Sequence, residues 1–100
     1  MIKVLIKKEN KKIKEIEFLG HALYDTYGKD IVCASVSSIV ITTINGILSI
    51  DDKALNYEEK PLIIKVNSYS NETVCLINNM ISLLYELEVQ YPKNITLKEE

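Results

Sequence analysis

The sequence predicts an α/β domain, a single-domain two-layer fold of order β-β-α-β-β-α-β with two helices packed on one face of a mixed or antiparallel sheet. Three observations lead there. Two short alternating apolar runs open the chain, two longer stretches carry apolar residues every three or four positions, and short alternating runs follow each of them.

Ile2, Val4 and Ile6 alternate with Lys3 and Lys7 over Met1 to Lys8, the period of a half-buried strand. Glu9 to Lys12 is polar and suits a turn, and Ile13, Ile16, Phe18 and Leu19 continue as a second strand that ends at Gly20. The two segments read as an antiparallel hairpin. His21 to Lys29 lacks a long periodic face and reads as a loop. Asp30 is placed as the N-cap of a helix running to about Ser49, with Val32, Val36, Ile39, Val40, Thr43 and Ile47 as its inward stripe. The β-branched residues at Ile31-Val32 and Ile39 to Ile44 keep a strand open as the alternative.

Asp51-Asp52 is a polar break, after which Leu55 and Tyr57 share one face of a short strand. Glu59-Lys60-Pro61 makes a turn, and Leu62 to Val66 is the next strand. Val74, Ile77, Ile81, Leu84 and Leu87 or Glu88 mark a second helix over about Asn71 to Gln90, with Met80, Ile81 and Leu84 inward. Pro92 ends it, and Asn94 to Leu97 is a short final strand.

One hundred residues with 47 % hydrophobic and 26 % charged side chains fit one modest core, and exclude wholesale disorder or a deep interdomain cleft. The longest apolar run, Ile39 to Ile50, is interrupted by Thr42, Thr43, Asn45, Gly46 and Ser49, so no bilayer span is expected. No secretory segment is read, and a cytoplasmic location is the expectation. So small a core has little surplus apolar area, and a second copy over a sheet edge or helix face, a homodimer, is expected.

The net charge is −2, unevenly spread, since residues 1–14 hold six Lys and one Glu. Every basic side chain is Lys. Without the planar fork of Arg, sequence-reading nucleic-acid recognition is disfavoured, and the six Tyr and one Phe are scattered. The basic strand reads as a solvated face, with direct RNA contact left open.

Cys33 and Cys75 lie far apart and suit neither a structural disulfide nor, with one His, a zinc site. No cofactor or metal is expected. Cys75, between Val74 and Leu76-Ile77, reads as a core residue. Cys33 is more informative, because it falls near the third position of the proposed helix, where unpaired amide groups favour a thiolate. An imidazole brought close by the loop could take the thiol proton and later return it to a leaving amine. His21 is the chain's single His. Gly20 and Gly28 permit tight bends beside it, Asp30 caps the helix or orients His21, and Ser37 stands one turn beyond Cys33. The competing reading is a small buried Cys and a hydrogen-bonded structural His.

Gly20-His21-Ala22, the block Gly28-Lys29-Asp30-Ile31-Val32-Cys33-Ala34, and Val36 and Ser37 beyond it resemble the bacterial ribosomal-processing cysteine proteases, a family formerly described as a domain of unknown function. Agreement continues through Thr42 to Asn45 and at Tyr91-Pro92, so in organisation it spans nearly the whole chain. Ser35 departs from the Ala or Gly usual after the Cys-Ala pair, and the segment between the helices is short for the family. The resemblance implies a Cys33/His21 dyad, with Gly20, Asp30 and Ser37 at the family's other prominent positions. It further implies removal of the short N-terminal extension of large-subunit ribosomal protein twenty-seven. Two other functions compete with it: a non-enzymatic ribosome-associated binding protein using the basic strand, and a thiol-dependent regulator.

Overall fold

The structure is a computed structural model that describes residues 1–20 and 27–100, with the side chains of residues 27–30 outside the description. Its elements are β1 (Ile2–Glu9), β2 (Lys12–Leu19), α1 (Tyr27–Ile50), β3 (Leu55–Glu59), β4 (Leu62–Val66), α2 (Asn71–Gln90) and β5 (Ile95–Glu99). The strands form one sheet in the order β3-β4-β2-β1-β5. Every neighbour pair is antiparallel except β1–β5, so of the two sheet types expected the mixed one forms.

The hairpin β1–β2 closes through Asn10 and Lys11, both in left-handed backbone at φ 54° and 67°. Such mirrored turns match the right-handed strand twist, which outweighs the local cost at Lys11. Ile6, Ile16 and Ile64 then stand side by side across β1, β2 and β4, each fully buried. On the opposite face Lys7 pairs with Glu15 at 3.2 Å and Glu17 at 3.4 Å. Hydrogen bonds to those carboxylates, Glu15 first, raise the Lys7 pKa above its ordinary value.

Val32, Val36, Val40, Ile44 and Ile47 of α1 and Ile77, Met80, Ile81, Leu84 and Leu87 of α2 share one core cluster with the sheet residues Ile2, Val4, Ile6, Ile16, Phe18, Ile64 and Ile95. The helix wins over the strand alternative on magnitude. A β-branched residue costs a helix at most about 0.7 kcal/mol, whereas burying a Val or Ile is worth about 1.5–3 kcal/mol. Helix α2 keeps the boundaries its periodicity predicts. Ser70 caps it by accepting from the Thr73 amide at 3.3 Å, and the Tyr91 amide donates to the Leu87 carbonyl at 2.8 Å just before Pro92. The carboxylate of Glu88 accepts from the Leu97 amide at 2.9 Å and so occupies a donor of strand β5, which has a neighbour on one side only.

Four expectations are corrected. Helix α1 begins at Tyr27, so Asp30 is its fourth residue rather than its N-cap. Gly28, expected at a bend, is its second residue. Cys75 is exposed, because α2 turns Thr73 and Ile77 inward and leaves the intervening position outside. Finally, Ile31–Ile50 has a mean hydropathy of 2.0 and is long and apolar enough to cross a membrane by length and composition. Its Ser, Thr, Asn and Gly residues break the apolar run without adding a single charge. In this fold the stripe from Val32 to Ile47 packs into the core instead.

Candidate active site

Among the described residues, three walls and Ile2 of β1 line a cleft of about 960 Å³. One wall is α1, which presents Cys33, Ser37, Ile41 and Asn45 at successive four-residue steps. Val36, Val40 and Ile44 of the same helix give that wall an apolar base. The second wall is the end of β2, with Phe18, Leu19 and Gly20. The third is the β3–β4 hairpin, with Tyr57, Glu59, Lys60, Pro61 and Leu62. The hydroxyl of Ser37, the amide of Asn45 and the charges of Glu59 and Lys60 supply the polar groups around an otherwise apolar hollow.

Gly20 shapes the second wall. Its φ of +80° lies in the left-handed region, and a Cβ there would run into the carbonyl oxygen of Met1. The glycine lets the end of β2 pass against the start of β1, where Ile2 also lines the cleft.

Cys33 is half-buried in this cleft and Ser37 is exposed one turn further along. Helix α1 starts at Tyr27, which makes Cys33 its seventh residue rather than its third. The unpaired amides of the helix start belong to its first turn, so the Cys33 amide is inside the hydrogen-bond ladder. The activation expected from the helix terminus therefore weakens, since that effect fades within one turn. His21 follows Gly20 in the chain and lies outside the described residues, as does the side chain of Asp30. Among the described residues no three His, Cys, Asp or Glu side chains converge as metal ligands.

The hairpin wall is what sequence reasoning misses. Leu55 and Tyr57 were expected on one face of a short strand; Leu55 is buried, whereas Tyr57 is 46 % exposed and lines the cleft. Glu59, Lys60 and Pro61 carry turn chemistry and nothing in the sequence connects them with Cys33. Asn45 sits three helical turns from Cys33 on the same side, and that spacing could have revealed it.

Comparison with known proteins gives one family. Residues 1–96 match the family described as cysteine protease Prp. The ribosomal processing cysteine protease Prp of Staphylococcus aureus strain Mu50 is 29 % identical over 91 residues, which is 86 % of each chain. The crystal structure of an essential ribosomal processing protease Prp from S. aureus with a covalently linked product peptide has a TM-score of 0.85 at 27 % identity, covering 100 % of both chains. The same enzyme with a substrate peptide gives a TM-score of 0.86 at 25 % identity, again over 100 % of both chains.

Proposed function

The chain belongs to the cysteine protease Prp family, and on that premise we propose that it is an endopeptidase with Cys33 as nucleophile and His21 as general base. Its proposed substrate is the short N-terminal extension of large-subunit ribosomal protein twenty-seven. The observation that carries the reading is the shape of the cleft beside Cys33. From Cys33 to Asn45 the α1 wall is twelve residues long, or about 18 Å, which matches about five residues of extended peptide. A small-molecule site would not need that length.

In the proposed reaction His21 takes the Cys33 proton and the thiolate adds to the scissile carbonyl carbon. The tetrahedral intermediate collapses with cleavage of the C–N bond, and His21 returns the proton to the departing amine. Water, deprotonated by His21, then hydrolyses the thioester and frees Cys33. Because Cys33 stands beyond the unpaired amides of α1, proton transfer to His21 carries the activation. Asp30, relieved of capping, is assigned to orienting His21, and Ser37 to holding the substrate or imidazole beside Cys33. Gly20 keeps the cleft wall clear of side chain.

Mass spectrometry of a synthetic peptide carrying that N-terminal extension should show one cleavage, releasing two fragments. An intact peptide after incubation with folded protein would remove the substrate assignment.

A cytoplasmic homodimer completes the proposal. Ile31 and Ile50 on α1 are each more than half exposed and lie outside the cleft lining, and the helix has no charge between Asp30 and Asp51. A second copy of this chain is the proposed cover for that surface. Sedimentation equilibrium should give twice the 11.4 kDa chain mass, and Ile31→Lys should halve it. A monomer at all concentrations, or association that appears only with lipid vesicles, would overturn the dimer.

A further inference from the structure

We propose that the turn between β1 and β2 is a second binding site, which takes single-stranded nucleic acid through its phosphates and one unstacked base. Lys8, Lys11 and Lys12 surround a small hollow of about 150 Å³, whose apolar side is formed by Ile13, Tyr69 and Ile77. Tyr69 comes from a remote part of the sequence, yet its hydroxyl donates to the Ile13 carbonyl at 3.1 Å. The Lys12 ammonium stands 5.0 Å from the centroid of the same ring. The fold thus adds to the lysines an anchored aromatic ring that the scattered tyrosines of the sequence do not announce.

The lysines differ in availability. Lys14 beside the turn is engaged with Glu9 at 2.9 Å, and Lys8 with Glu99 at 3.1 Å. Both are solvent-exposed pairs of the kind worth little in water, so a phosphate can replace the carboxylate. Lys11 and Lys12 form no ion pair among the described residues. The left-handed backbone at Lys11 sets its side chain at the tip of the turn.

Lysine ammonium groups attract phosphate without dictating base identity. An aromatic ring beside an apolar hollow suits the flat face of a base. An acidic peptide without an aromatic side chain would satisfy the charges but leave the ring unused, whereas every nucleotide carries both a phosphate and a flat base, which favours nucleic acid. With Glu9 and Glu99 beside it, the turn owes its uncompensated positive charge to Lys11 and Lys12. Strand β2 runs from this turn to Leu19 at the cleft, about 23 Å at the usual rise, so both sites can be occupied together.

Fluorescence anisotropy with the full chain tests the site, using a labelled oligouridylate, its deoxy counterpart and an acidic peptide of equal charge. Saturable binding of either oligonucleotide is expected at low salt, with the peptide at least about tenfold weaker. For two to four phosphates, log affinity should fall with log salt at a slope of about −1.4 to −2.8. Lys11→Gln with Lys12→Gln should lower affinity about tenfold and reduce that slope, and Tyr69→Ala should lower it about fivefold or more. A tighter ribo- than deoxyoligonucleotide would assign a contact to the 2′-hydroxyl; equal affinities would assign recognition to phosphate and base alone, and either pattern supports the site. Unchanged binding by the folded double-lysine variant, equal binding of the acidic peptide, or no oligonucleotide binding would each overturn it.

Discussion

Cys33→Ala abolishes peptide cleavage, lowering turnover by at least about 10³-fold, while the protein stays folded. The side chain lost is small and half-buried at the cleft surface, so its removal takes little from the core. Alanine also suits a helix better than cysteine. The melting temperature should therefore move by no more than about 5 °C, a shift worth about 1 kcal/mol in a domain this size. His21→Ala should lower turnover by about 10²–10⁴-fold, the usual weight of a general base. Alkylation by iodoacetamide distinguishes the two roles. It should label Cys33 more slowly in His21→Ala, because the base that draws off the thiol proton is gone. Exposed Cys75 serves as the internal reference for that labelling. Normal cleavage by Cys33→Ala would end the proposed mechanism.

Gly20→Ala should destabilise the protein by about 2–4 kcal/mol and lower its melting temperature by at least about 10 °C. The left-handed backbone at φ +80° accounts for about 1–2 kcal/mol of this. The rest comes from the new Cβ, whose obstacle is the backbone carbonyl of Met1 and not a side chain able to swing away. Relief requires parting β1 from the end of β2, and Ile2 and Leu19 move with them, so KM should also rise. Gly46→Ala is the control. Gly46 lies inside α1 with nothing within 4 Å of the added Cβ, and replacing a helical glycine should stabilise by about 0.5–1 kcal/mol. Two identical substitutions should thus shift thermal unfolding in opposite directions. Parallel shifts would show that the close approach at Gly20 is not what the glycine serves.

Local patterns carried most of the fold. The alternation Ile2-Val4-Ile6 places one face of β1 in the core, and the spacing Ile77, Ile81, Leu84 fixes both the direction and the boundaries of α2. The start of α1 was misplaced because Gly28 argues against helix and Asp30 is a good capping type. Cys33, Ser37 and Gly20 were legible as members of one region, and all three line the cleft. Tyr57, Glu59 and Lys60 were not, because the sheet order β3-β4-β2 brings them beside Gly20 across a gap of some forty residues. Cys75 misled for a simpler reason. Apolar neighbours in sequence occupy different faces of a helix, so they do not imply burial.

The seating of Met1 against Gly20 has a practical consequence for fusion proteins. Residues joined ahead of Met1 would leave the fold at the rim of the cleft, because Ile2 and Gly20 both belong to its lining. A flexible leader in that position is held at an effective concentration in the millimolar range. A leader whose sequence fits the cleft would there compete with peptide added in solution, so a tag is better placed at the other end of the chain.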